Sequence, residues 1–70
     1  MTTQDMLLAI GNGKNRRKDV AYRYAEAIRG GVSAVNWPAV NMAIIHRWSR
    51  SGLEYIKELA WKIAEGKVTS

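Results

Sequence analysis

Apolar residues recur at helical spacing along most of this chain, and that pattern most narrows the folds open to it. Between Asn15 and about Arg29 the apolar positions lie three or four residues apart, as one face of a helix requires; they are Val20, Ala21, Tyr24, Ala27 and Ile28. The short stretch Val32–Val35 is β-branched at both ends, but the chain offers no second strand to pair with it. We interpret that stretch as a buried connector and predict an all-α fold.

Capping residues and glycines divide the first half of the pattern into two helices. Thr2 or Thr3 can cap a first short helix. The segment 11–13, with two glycines in three residues, ends that helix because glycine favours a turn. Asn15 is the predicted cap of the second helix, and a glycine pair at 30–31 ends it.

Two further helices are predicted in the second half of the chain. Asn36 caps the third, and Pro38 is tolerated because it lies in the first turn. The fourth begins at "SGLE", where Ser51 and Glu54 match a capping box: each side chain can bond the other residue's free backbone N–H. Gly66 ends this last helix.

The size and composition of the chain allow one small core and no second one. It has 70 residues, 47% of them hydrophobic, and no Cys. We therefore predict a compact single-domain bundle of three to four short helices over residues 1–70, with a basic loop at 11–19 and a flexible C-terminal tail at 67–70. A core this small supplies only about 3–5 kcal/mol, so a partner or self-association is an expected source of further stability.

Four cations gather at the start of the second helix, in the stretch "GNGKNRRKD"; they are Lys14, Arg16, Arg17 and Lys18. Cations are disfavoured there because a helix N-terminus already carries partial positive charge, and a bound phosphate would relieve the repulsion. The net charge of +5 also favours an anionic partner. We predict nucleic-acid contacts from these four residues. The alternative is a solvated face on which Asp19 offsets part of the charge.

A second candidate anion site is the stretch "HRWSRSG", His46–Gly52. Arg47 and Arg50 flank a turn that leads into the last helix, whose N-terminus can bind an anion. Arg23, on the second helix, is a further predicted phosphate contact. The alternative is that Ser51 only caps the helix and the arginines are solvated.

The stretch Ala39–Ile56 partly matches a helix-turn-helix pair. Trp48 falls at the apolar turn position, and Leu53 falls at a buried position of the recognition helix. Against this match, Arg47 stands where glycine is usual, and the outward Glu54 has the wrong sign of charge to face phosphate. A helix-turn-helix-like pair is thus a second interpretation of the same function.

An apolar excess on the third helix supports a rival function. Met42 and Ile45 extend its apolar surface beyond one face, and Trp61 lies off the apolar stripe of the last helix. Exposed Trp residues often anchor protein interfaces. These three residues predict a protein-interaction module, either a homo-oligomer or an inhibitor that docks on a larger partner. A membrane-surface peptide is a weaker third option, because three outward Glu residues interrupt the cationic face that such helices keep.

Several classes of protein are not expected. The chain has no Cys nucleophile, no Gly-rich phosphate loop and a single His, so we expect no enzyme, no cofactor and no metal site. No apolar run approaches the ~20 residues of a membrane span, and the N-terminus lacks the basic start of a signal peptide. The leading hypothesis is a small, basic, cytoplasmic nucleic-acid-binding protein of the phage or plasmid regulator type.

Overall fold

The computed structural model describes residues 2–31 and 34–67 and contains three helices in that part of the chain. They are α1 (Thr3–Gly11), α2 (Arg17–Arg29) and α3 (Trp37–Ala64). The described residues include no strand, and the prediction of a small all-α bundle is confirmed. No helix in those two ranges is both long enough and apolar enough to cross a lipid bilayer.

The start of α1 is closed by a reciprocal pair of hydrogen bonds between Thr2 and Asp5. Thr2 Oγ1 accepts from the Asp5 N–H at 3.1 Å, and Asp5 Oδ2 accepts from the Thr2 N–H at 3.1 Å. Hydrogen bonds from Thr2 hold the pKa of Asp5 below its ordinary value of 3.8, and the bond from the Thr2 backbone has a larger effect than that from the Thr2 side chain. The predicted cap at Thr2 is confirmed. Thr3 Oγ1 accepts from the Asn36 N–H at 3.0 Å, so α1 also fixes the start of α3.

The start of α2 differs from the prediction. Arg16, not Asn15, is the residue that precedes the helix, and Asp19 Oδ2 accepts from the Arg16 N–H at 2.8 Å. Asn15 Nδ2 instead donates to the Ala9 carbonyl oxygen at 2.9 Å. The predicted cap was wrong because the side-chain amide of Asn15 bonds a carbonyl oxygen at the end of α1. The last carbonyls of a helix have no partner within the helix.

The helix α3 is broken at Ser49, where φ is 77° and ψ is 177°. Its two arms, residues 37–48 and 50–64, are the predicted third and fourth helices. The cap at Asn36 is confirmed, because Asn36 Oδ1 accepts from the Ala39 N–H at 3.3 Å. The predicted start at Ser51 was wrong: Ser51 is helical, and its Oγ lies 3.0 Å from the Oγ of Ser49.

The break brings Trp48 and Gly52 close together. A Cβ atom added at Gly52 would lie 2.4 Å from the Cβ of Trp48, far closer than real Cβ atoms approach. The two arms therefore meet so tightly at the turn that the buried position 52 accommodates only glycine. The capping-box pattern at 51–54 carries no information about this contact.

The core lies between α2 and the two arms of α3, with α1 packed across one side. Its largest fully buried side chains, each contributing about 1.5–3 kcal/mol to stability, are Met6, Val20, Val40, Ile44 and Ile56. Of the predicted buried connector, Val35 is buried but Ala34 is exposed, and residues 32 and 33 lie outside the described part of the chain. The same holds for residues 68–70 of the predicted tail.

Candidate nucleic-acid interface

The helix α2 and the second arm of α3 lie side by side and run in the same direction. At their N-terminal ends, the Cδ of Arg17 is 3.8 Å from the position that a Gly52 Cβ would take. At their C-terminal ends, Arg29 Nη2 donates to the Ile63 carbonyl oxygen at 2.8 Å. The positive ends of two helix dipoles therefore lie together at one end of the molecule.

Arg17 is held at this end by an aromatic ring. Its Cζ lies 5.3 Å from the centroid of the Tyr55 ring, which belongs to the second arm of α3. A guanidinium over a ring face at this distance gains about 0.5–1 kcal/mol at an exposed site. Both side chains are exposed. The ring therefore orients the guanidinium without removing it from solvent.

The two basic segments predicted from the sequence meet here. We call their exposed cations the basic end; they are Lys14, Arg16, Arg17, Lys18 and Arg50. Within the described ranges, the ion pairs are Arg23–Glu26, Glu58–Lys62 and Glu65–Lys67, and none includes a cation of the basic end. The nearby carboxylate of Asp19 accepts from the backbone of Arg16. The positive charge of the basic end is therefore left largely uncompensated.

Arg47, a predicted phosphate contact, is bound within the chain instead. Its Nη1 donates to the carbonyl oxygens of Ile10 at 2.7 Å and Asn12 at 3.0 Å. Its Nη2 donates to those of Gly13 at 3.4 Å and Asn15 at 2.6 Å. The guanidinium also lies 4.0 Å from the centroid of the Trp48 ring. These contacts shape the loop that carries the basic end.

This structural role of Arg47 was not predicted from the sequence, although one signal was available. The last carbonyls of a helix need donors, and α1 has no basic residue in its own last turn. Donors from elsewhere in the chain can supply them, as Asn15 and Arg47 do here. Nothing in the sequence, however, identifies which of the 11 Lys and Arg residues is such a donor.

Arg23, on α2, has an acidic partner within the same helix. Its Nη1 is 3.8 Å from a carboxylate oxygen of Glu26. It lines a polar cleft of about 350 Å³ between α1 and α2, together with Asp5 and Asn12. Of the seven predicted phosphate contacts, five belong to the basic end, whereas Arg47 and Arg23 have partners within the chain.

Of the three residues predicted for a protein interface, two are exposed and one is half-buried. Met42 is 54% exposed and Trp61 is 47% exposed, whereas Ile45 is half-buried and packs against the core. Trp61 lines a groove whose lining includes neither Met42 nor Ile45. Asn41 is half-buried, and its Oδ1 accepts from the Tyr24 hydroxyl at 2.9 Å.

The helix-turn-helix pattern is partly reproduced in the geometry of α3. Leu53 and Ile56 are buried, and Trp48 packs against the core. Within α3, the residue with positive φ is Ser49. The pattern usually has its glycine two positions earlier, at the position of Arg47. Glu54 is exposed. A role for the second arm in reading DNA stays a prediction.

Comparisons with protein-family models, with curated proteins and with solved structures found no match to this chain.

Proposed function

We propose that this protein binds nucleic acid through its basic end, which contacts the phosphate backbone. The observation that carries the proposal is the contact of Arg17 with Gly52 and Tyr55, which joins two basic segments that are distant in sequence. The N-terminal ends of the two parallel helices carry partial positive charge, and they repel the exposed cations that lie at the same place. A bound phosphate backbone relieves that repulsion and gains charge-assisted hydrogen bonds.

The side chains differ in their proposed roles. Lys14, Arg16, Lys18 and Arg50 contact phosphate directly, since each is exposed and has no carboxylate partner among the ion pairs of the described ranges. Arg17 contacts phosphate from its position over Tyr55. Contacts of this kind give affinity without base preference. A cytoplasmic regulator of the phage or plasmid type is the biological role that we attach to the proposal.

Binding to duplex DNA and to single-stranded RNA, measured at several salt concentrations, tests the proposal. We expect affinity that falls steeply with added salt, because phosphate contacts release bound counterions. The double substitution Arg16→Ala with Arg17→Ala should weaken binding and reduce the slope of log affinity against log salt by about 1–2.

A matched control removes the same amount of charge from the opposite end of the helix pair. Lys62 and Lys67 lie at or beyond the C-terminal end of α3 and are each paired with a glutamate. Their double substitution to Ala should leave the salt slope close to that of the natural protein. Equal losses in both double variants would mean that binding follows net charge alone, and absence of binding at low salt would reject the proposal.

A second candidate function, a protein-interaction module, is favoured by the exposed apolar side chains of α1 and the first arm of α3. Leu8 is 64% exposed, Met42 is 54% exposed and Leu7 is 38% exposed. A homo-oligomer or a complex with a larger protein would cover these residues. Light scattering across the same salt series tests this candidate: a salt-tolerant dimer that Met42→Ala weakens would support it.

A further inference from the structure

A groove rich in aromatic side chains runs between α2 and the two arms of α3. It has a volume of about 470 Å³, and we call it the aromatic groove; its lining residues are Tyr24, Ile28, Trp37, Asn41, Lys57 and Trp61. Trp61 stands at its rim with 47% of its surface exposed. A Trp side chain left this open keeps much of one large apolar surface in contact with water, which is unfavourable unless a partner covers it.

The interior of the groove is fixed by contacts among its own residues. The rings of Tyr24 and Trp37 lie 4.5 Å apart between centroids, at an angle of 41°. The Tyr24 hydroxyl donates to Asn41 Oδ1 at 2.9 Å, which leaves the amide nitrogen of Asn41 as a possible donor toward the groove. Flat aromatic surfaces with a few polar groups suit a planar heteroaromatic ring better than an aliphatic chain.

The groove is also cationic. Lys57 is its charged residue and belongs to no ion pair within the described ranges. One face of the second arm carries Arg50, Lys57 and Trp61. Lys57 follows Arg50 by seven residues and precedes Trp61 by four, and both spacings are close to whole numbers of helical turns. A row of two cations and one indole therefore leads from the basic end to the groove. The exposed Glu54 lies on the same face and opposes the attraction of an anion.

We propose that the aromatic groove binds an unpaired base of a single nucleic-acid strand, with Trp61 stacking on the base and Lys57 contacting its phosphate. The inference rests on the proposed function, because the basic end, about 16 Å along the helix from Trp61, holds other phosphates of the same strand. Bases expose their faces for stacking only where they are unpaired and unstacked. The groove therefore gives the protein a preference for single strands, and stacking leaves that preference tolerant of sequence.

The test compares a short oligothymidylate with an abasic strand of the same length, which has the same phosphates but no bases. Binding of each labelled strand to the full chain is measured by fluorescence anisotropy at low salt. We expect the oligothymidylate to bind about 5- to 100-fold more tightly, the range for one stacked base. Trp61→Ala should abolish this difference and leave the affinity for the abasic strand nearly unchanged.

Two further variants guard against trivial explanations. Trp61→Phe retains a ring and should keep part of the preference even if the Ala variant folds poorly. Leu8→Ala removes an exposed apolar side chain that lies outside the aromatic groove, and it should leave the preference intact. Equal affinity for both strands, or a preference that survives Trp61→Ala, would overturn the inference and leave phosphate binding standing. Binding of neither strand would reject the proposed function itself.

Discussion

The guanidinium of Arg47 donates to the carbonyl oxygen of Asn15 at 2.6 Å, and this bond ties the first arm of α3 to the loop that precedes α2. Three more carbonyl oxygens of the same loop region accept from Arg47. A single side chain thus closes the end of α1 and shapes the approach to α2. The planar fork of an arginine suits this task, because several donors are held in fixed directions.

Replacing Arg47 by Lys should therefore lower stability although the charge is kept. A lysine cannot reach four carbonyl oxygens at once, and loss of a charged hydrogen-bond donor from a half-buried site costs about 2–3 kcal/mol. Urea unfolding gives the free energy of unfolding. Arg50→Lys is the control, since Arg50 is exposed, and it should change stability by less than about 0.5 kcal/mol. Equal stability of both variants would contradict the role given to Arg47.

Gly52→Ala should destabilise the protein by about 1–3 kcal/mol, the usual cost of forcing extra volume into a packed site. The added methyl group would meet the Cβ of Trp48 at 2.4 Å, and neither helical arm can move without disturbing the core. The matched substitution is Gly11→Ala, because nothing lies within 4 Å of its added Cβ. Thermal unfolding should show a clear drop for the first variant and little change for the second. A tolerated Gly52→Ala would show that the turn is looser than described.

Ser49→Gly should raise stability by about 1 kcal/mol, because φ of 77° with ψ of 177° is a backbone region that only glycine adopts without strain. The gain is partly offset by loss of the contact between the Ser49 and Ser51 hydroxyls. Ser51 is helical, so Ser51→Gly should instead lower stability by about 0.5–1 kcal/mol. In chemical denaturation, the changes in the free energy of unfolding of the two variants should have opposite signs. A loss of stability in both variants would argue against a strained turn at Ser49.

Alkaline pH should destabilise the protein through Tyr24. Burial raises the pKa of the Tyr24 hydroxyl above its ordinary value of 10.0. A raised pKa means that the folded state holds the proton more tightly than the unfolded state. The resulting stability is fully present below the unfolded pKa and is lost as the pH rises through the folded pKa.

Tyr24→Phe separates this effect from the titration of other groups. The variant should be less stable at neutral pH by about 1 kcal/mol, the net value of a typical hydrogen bond. Between about pH 9 and about pH 11 it should lose less stability than the natural protein. The measurement is the free energy of unfolding of both proteins across that pH range. Parallel losses in the two proteins would exclude Tyr24 as the group responsible.

The local parts of the fold were predictable because they depend on neighbours in sequence. The inward stripe of α2 was recovered, since Val20, Ala21 and Tyr24 are buried, and helical periodicity is a local signal. The caps at Thr2 and Asn36 depend on residues three positions away, so they were recovered as well.

The failures involve contacts made across a turn that separates two helical segments. Asn15 does not cap α2 because its amide bonds to Ala9, across the turn between two helices. The break falls at Ser49, and the two arms meet closely at Trp48 and Gly52. The candidate site shows the same division. Its cations were identified by type and clustering, but their union at one end depends on the parallel packing of α2 and the second arm, which no local pattern encodes.

That parallel packing has a thermodynamic consequence. Four cations of the basic end precede the first arm of α3 in the sequence, and Arg50 follows it. They therefore form one surface only when the chain has folded. The unfolded chain carries the same charges, but it spreads them over many conformations. An anion that recognises their arrangement therefore binds the native state in preference, and by mass action it must raise the free energy of unfolding as its concentration rises. Folding and recognition at this end of the molecule are a single linked equilibrium.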